Sequence, residues 1–397
     1  MNSTKNIQWR YVLVQSAFWL SSCVILGFSS FYLVNNGYSE MQLGYVLATG
    51  NILGIALQSV MGSIADKYIN LKLKHISAFY ACIAILCASV LPFLKAPTPL
   101  FIILYTVIIL VCNIQVSFLN ALSTEHINNG TPLNYGLARG MGSMFFATIS
   151  IFLGRALRHF GVGIAMPIYI GLSFLFVVAV FTFPSPIKIK ADHLIEDKNA
   201  LTIKEFIVQH PRFILTVVAL LLVYSSHAFI SSFLYQVVND VGGDSSSLGI
   251  ALAIGAYVEL IGMLLYPIVL KFCKSTRKVL LLASLIFAIK TTLIFLARSP
   301  LEIYLAQGVQ MFSFALFIPA QVYFVAETID KHNQIKGQMF MGTANTMAVV
   351  INTLLGGYLI QNINVKNALL LMIVLNVIGL VMLLVVMPNS KKKLHKI

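Results

Sequence analysis

Charge is what this chain has least of. Asp, Glu, Lys and Arg make up 10% of its 397 residues, against 58% hydrophobic, where a soluble globular chain carries about 25% charged residues. A water-soluble core of this size would go uncovered. Acids are scarcer still, 13 against 27 Lys and Arg, for a net charge of +14. That excess does not read as nucleic-acid binding, because the cations sit between hydrophobic runs, where a membrane protein places them, and not on one face with stacking aromatics. Five cysteines (Cys23, Cys82, Cys87, Cys112 and Cys273) form no C-x-x-C pair and no metal spacing; they read as small packing residues. The chain has no H-E-x-x-H, G-x-G-x-x-G, Walker loop or G-x-S-x-G, which argues against a metalloenzyme, a self-contained primary pump or a serine hydrolase. No cofactor is expected. An intramembrane enzyme would need a paired nucleophile and base at helical spacing, and a receptor a substantial extramembrane domain; neither is found.

What the chain has is apolar length. Mean hydropathy is +0.88, and at about 20 residues per crossing twelve runs are expected. They lie near 11–34, 42–62, 75–94, 98–122, 135–157, 162–184, 212–236, 247–270, 278–297, 301–325, 335–360 and 365–387. The first follows Lys5 and Arg10, is longer than a signal core and lacks an A-x-A site, so it is expected to be a span, not a cleaved leader. The longest polar interval, 185–211, opens Pro184-Ser-Pro186 and divides six runs from six. The expected organisation is therefore a bundle at 1–184, a cytoplasmic linker at 185–211 and a second bundle at 212–397.

Cations set the expected orientation. Most of the 27 fall to the side of the termini and linker; Lys95, Arg155, Arg158, Arg298 and Lys366 fall to the other, and Lys290 lies within a run. The positive-inside rule places both termini in the cytoplasm of an inner membrane. A repeat is also visible. Leu43-Gly44-x-x-x-Ala48-x-Gly50 opens the second run and Leu248-Gly249-x-x-x-Ala253-x-Gly255 the eighth, each followed by a basic loop, as duplication of a six-span unit would produce.

Between the second and third runs stands Gly62-Ser-Ile-Ala-Asp66-Lys67, with Lys72 and Lys74 close behind. This resembles the G-x-x-x-D-[RK] loop of the major facilitator superfamily. That resemblance implies an all-α membrane fold of twelve transmembrane helices in two pseudo-symmetric six-helix bundles, with one solute site near the bilayer midplane between them. It gives Gly62, Asp66 and Lys67 a part in conformational switching. Tyr135-Gly-Leu-Ala-Arg139-Gly-Met-Gly142 resembles the F-G-x-A-R-x-x-G segment of the lactose-permease-like, oligosaccharide/proton symporter branch. There Arg139 matches an arginine that binds the sugar, and Lys290 falls where that branch has another cavity cation. The likeness breaks at Ala121 and Ala256, where the branch has glutamates, and at Gln310 and Ser313, where it has a His/Glu coupling pair. Glu259 follows Ala256 by one helical turn.

Glu259 and Lys290 are the acid and the lysine nearest the middle of a run. A charge at a helix centre costs about 2.5–3.5 kcal/mol on insertion scales, so each serves solute or ion, or the two form a structural pair. Amides and an indole mark further binding candidates: Gln307 and Gln310, which share a helix face at i, i+3, with Asn120 and Trp19. Gln15, Asn51, Gln58, Asn113, Gln115, His227, Gln321 and Asn345 either line a cavity or glue helices together. The expected function is secondary transport of a small polar solute (an oligosaccharide, sugar or nucleoside) by alternating access with proton symport. Arg139, Lys290, Gln307, Gln310, Asn120 and Trp19 would bind it and Glu259 would couple. The rival is an efflux permease for amphipathic or cationic compounds. Partners are the solute, a coupling proton or cation and the lipid bilayer; nucleic acid is not among them.

Overall fold

With no water to serve exposed amides inside a bilayer, a long apolar chain has to satisfy its backbone within itself, and the helix does so segment by segment. The structure is a computed structural model that describes residues 2–67, 72–131, 133–184 and 201–388, and these residues form helices and no strand. In chain order they are α1 Asn2–Ser22, α2 Ser29–Asn35, α3 Glu40–Lys67, α4 Leu73–Val90, α5 Pro99–Asn128, α6 Tyr135–Phe160, α7 Ala165–Thr182, α8 Ile203–Gln209, α9 Pro211–Ser232, α10 Leu234–Asp240, α11 Ser245–Cys273, α12 Thr276–Leu296, α13 Pro300–Gly308, α14 Phe314–Thr328, α15 Gln334–Asn362 and α16 Val365–Val386.

Eleven helical stretches among the described residues are long and apolar enough to cross a membrane, counting α13 and α14 as one. The 28-residue α3 also exceeds a hydrocarbon core of about 30 Å at about 1.5 Å rise per residue. The faces are arranged as lipid requires. In α4 the small residues Ser77, Ala78, Ala81, Ala84 and Ala88 are buried, while Phe79 and Leu86 point outward with 64% and 67% of their surface exposed. Water would favour the reverse. Small residues inside and bulky apolar ones outside let helix backbones approach where lipid supplies no hydrophobic drive.

The described residues divide into two compact units, those within 1–193 together with 244–256, and those within 194–243 together with 257–397. In the first unit, Tyr11, Phe18, Phe176 and Phe183 pack with Leu119 and Leu122 at the core. The opening half of α11 also belongs here. It lies so close to α6 that a Cβ on Gly154 would meet the Ser245 carbonyl oxygen at 2.5 Å, and Ser150 Oγ donates to Gly249 O at 2.9 Å. At the same end Arg158 pairs with Asp244 at 2.9 Å. Burial raises the Asp244 carboxyl, but Ser247 N–H, Ser246 N–H and the Arg158 guanidinium together hold it below the usual carboxylate range.

The second unit is built on Leu220, Val223, Phe287, Leu316, Phe317 and Phe324. The close of the polar interval is part of this unit: Phe206 of α8 is fully buried and stacks on Phe340 at 5.4 Å. A capping box between Thr202 and Glu205 starts that helix, and the two Thr202 hydrogen bonds draw the Glu205 carboxyl below its ordinary value.

The repeat seen in the sequence has a structural echo. Each half opens with a long helix that breaks and then resumes for seven residues, α1 to α2 about Phe28 and α9 to α10 about Phe233. Gly37 (φ 84°) and Gly242 (φ 80°) then turn the chain, in a conformation that costs little only without a Cβ. The register that carries Leu43 onto Leu248 also carries Phe28 onto Phe233 and Gly37 onto Gly242.

Candidate functional site

Each unit holds a polar cluster in its interior. In the first, α1 and α6 supply it. Trp19 lies against Gly142, where any Cβ would collide with the indole, so glycine makes room for the ring. The Arg139 guanidinium sits over that ring, 3.9 Å from its centroid, and Nη1 donates to Ser143 Oγ at 2.6 Å. The indole N–H donates to Gln15 Oε1 at 3.2 Å, Gln15 Nε2 to Tyr11 OH at 2.8 Å, and Tyr11 OH to the Leu119 carbonyl at 2.9 Å. Trp19 is thus held by a ladder along α1 that is tied to α5. A guanidinium on an aromatic face is worth about 0.5–1 kcal/mol when exposed and about 2 or more when desolvated. Asn120 stands nearby on α5, accepting from Tyr135 OH at 2.8 Å. Of the expected binding residues, Trp19 and Arg139 are brought into contact; Asn120 is joined to the start of α6 through Tyr135.

In the second unit the expected charges meet through an amide. Lys290 of α12 is 1% exposed and donates from Nζ to Gln310 Oε1. Gln310 Nε2 in turn donates to Glu259 Oε1 on α11. Gln310 thus hydrogen-bonds both members of the Glu259–Lys290 pair weighed from the sequence. Gln310 can join both because the helix breaks at it: α13 stops at Gly308, a 3-10 turn covers Val309–Phe312, and α14 resumes at Phe314. An amide carries one donor end and one acceptor end, and here each faces the partner of opposite need. Gln307, 4% exposed, is buried at the end of α13, and its Oε1 has no hydrogen-bond partner among the described residues.

An aromatic wall adjoins the charges. His227 stacks on Phe314 at 4.4 Å, Tyr224 on Phe317 at 5.9 Å, and Phe287 closes on both. Tyr224 lies within electrostatic reach of Glu259, and His227 within reach of Lys290. His227 Nδ1 is buried and has no hydrogen-bond partner among the described residues. Tyr224 and Phe314 were not singled out by sequence reasoning, whereas His227 was named as a residue that lines a cavity or ties helices together. One signal was present: the register of the repeat carries Trp19 onto Tyr224, placing an aromatic at the same level of α1 and α9.

Other polar residues act as ties between helices. Gln115 and Ser77 bond each other twice, at 2.6 and 2.7 Å, Gln321 and Asn345 bond reciprocally, and Gln58 donates to the Asn113 carbonyl at 3.1 Å. Gly62, Asp66 and Lys67 fall in the last turns of α3; their side chains lie outside the described residues. No group of His, Cys, Asp and Glu suited to a metal occurs among the described residues.

Comparison with known proteins fits this architecture. Residues 213–397 match the sequence profile of the Major Facilitator Superfamily. Among solved structures, the chain resembles the nucleoside transporter NupG with a TM-score of 0.77 at 14% identity, over 96% of this chain and 98% of that one; a mutant of the same transporter gives 0.79. It also resembles a bacterial homologue of the human lysosomal transporter Spinster, with a TM-score of 0.68 at 13% identity over 96% of each chain. At such identities the likeness is one of fold. No curated protein matches the sequence, and nothing in the comparisons singles out the lactose-permease-like branch. The second half of this multi-pass membrane protein thus matches the major facilitator superfamily by sequence, and the chain as a whole shares the fold of the transporters it resembles.

Proposed function

We propose that the chain is a secondary active transporter, not an enzyme, that moves a small polar solute by alternating access with proton symport. The observation that carries this reading is the Glu259–Gln310–Lys290 chain. Two charges held at mid-span cost several kcal/mol unless they serve a solute or ion path, and a purely structural role would be filled as well by apolar residues of similar volume. In this reading Glu259 takes up the coupling proton, while Lys290, Gln307 and Gln310 hydrogen-bond the solute. In the first unit Trp19 offers a ring face, and Arg139 and Asn120 offer polar groups. Gly62, Asp66 and Lys67 govern switching. The bundles are 1–184 and 212–397, joined by 185–211, with both termini in the cytoplasm.

The solute is an oligosaccharide, sugar or nucleoside. Nucleosides come first, because NupG, described as a nucleoside transporter, shares the fold and because a base suits an aromatic face better than a sugar does. A ligand that binds only the folded protein raises its stability, by about 2.7 kcal/mol at a hundredfold excess over Kd. Purified protein screened against nucleosides and sugars is expected to show a raised unfolding midpoint with at least one of them. A screen in which none moves the midpoint, while an amphipathic cation does, would favour the efflux reading.

A further inference from the structure

The side of the second unit where α9 begins and α16 ends has a surface that the transport reading leaves unused. Helix α8 is anchored there by buried Phe206 and by the Leu201 N–H, which donates to Asn333 Oδ1 at 3.0 Å. It lies ahead of the first crossing of this unit, which starts at Pro211. Yet beside Lys204, Glu205 and Gln209 it exposes three aliphatic side chains: Ile203, Ile207 and Val208 keep 61%, 41% and 70% of their surface exposed. Next to it is a recess of about 290 Å³ lined by Gln209 to Phe213 of the α8–α9 junction and by Thr328, Ile329 and Pro388. Arg212, exposed at the rim, makes no hydrogen bond or ion pair through its guanidinium among the described residues.

We propose that this surface binds anionic phospholipid of the adjacent leaflet, with the exposed aliphatic side chains of α8 at the headgroup–acyl boundary and Arg212 and Lys204 on the lipid phosphate. Two features select that occupant. Exposed aliphatic side chains just outside the first span of the unit have an apolar medium within reach, and on α8 they flank the cation Lys204, as a helix lying in the interface plane would place them. Cations also outnumber acids there, the acids being Glu205 and Asp330, of which Asp330 accepts from Asn333 Nδ2. Lys204, Arg212 and Lys331 surround the recess in sequence, and Pro388 on its wall is followed in sequence by Lys391, Lys392, Lys393 and Lys396. Each such cation near an anionic surface contributes about 1 kcal/mol, fading within a Debye length. The nearby acid of α8, Glu205, is engaged by Thr202.

The test reads stability, so it stands or falls separately from the transport reading. Protein in phosphatidylcholine vesicles with a third phosphatidylglycerol should unfold several degrees higher than in phosphatidylcholine alone, and salt should erode the difference. The variant Lys204→Gln/Arg212→Gln should lose at least half of the rise, and Arg212→Lys should keep most of it. Ile203→Ser/Val208→Ser, whose side chains support no core contact, should lose part of it while matching the parent in detergent. Equal midpoints in both lipids, an undiminished rise in the charge variant, or the same rise on adding inorganic phosphate in detergent would each overturn the proposal.

Discussion

Glu259→Gln is expected to abolish accumulation of solute driven by an imposed pH gradient, while solute exchange down its own gradient continues. Glutamine is the shape of a protonated glutamate that cannot release its proton. The Gln310 bridge also predicts how the variant folds: the carbonyl oxygen of the introduced amide can still accept from Gln310 Nε2, as Glu259 Oε1 does now. The hydrogen-bonded chain therefore survives, and what disappears is the negative charge opposite Lys290. Glu259→Leu removes charge and acceptor together and strands Lys290 with an unsatisfied amide. Breaking a buried pair from one side costs about 3–5 kcal/mol, so Glu259→Leu should be much less stable than Glu259→Gln, and Lys290→Met should partly rescue it. Full gradient-driven accumulation by Glu259→Gln in proteoliposomes would remove Glu259 from the coupling step and turn attention to His227, a buried residue within electrostatic reach of Lys290.

The second large effect is expected at the other cluster. Arg139→Lys should weaken solute binding by tenfold or more, about 1.4 kcal/mol, although the charge is kept. A guanidinium can lie flat on Trp19 at 3.9 Å and bond Ser143 from its edge at the same time; an ammonium has neither the plane nor the fork. Trp19→Ala should cost a similar amount, and the double variant little more than either single one, because residues that act as a unit are not additive. Isothermal titration with the solute found in the screen gives all three values. Unchanged binding in Arg139→Ala would make the arginine a support for the α1–α6 contact.

The spans were legible because membrane helices announce themselves by length: the run expected at 75–94 is helical over Leu73–Phe93, and that at 365–387 over Val365–Val386. Less legible were the ends. The run placed at 98–122 extends to Asn128, since Ser123, Thr124, Glu125 and His126 lower hydropathy without breaking a helix. The run at 301–325 hid its break about Gln310, because no proline or glycine pair marks a 3-10 turn there; Pro319 lies inside the helix that follows. That break explains why Gln310 drew notice as an amide on a helical face and not as the bridge between Glu259 and Lys290. Bridging depends on three helices meeting, and periodicity along one of them carries no trace of it. Trp19 and Arg139 fared better, because a cation and an indole in the first and fifth runs were each unusual enough to be named separately. Their contact, and the glycine that permits it, came from the fold.

If solute and proton move together through this chain, adding solute alone should move protons. Wild-type protein is reconstituted into weakly buffered proteoliposomes with no initial pH difference, and the solute identified by thermal shift is added outside. The external medium is expected to become more alkaline in step with solute entry, and to stay unchanged with Glu259→Gln. Solute entry at the same rate with no change in external pH would contradict it and leave a facilitator that only equilibrates its solute.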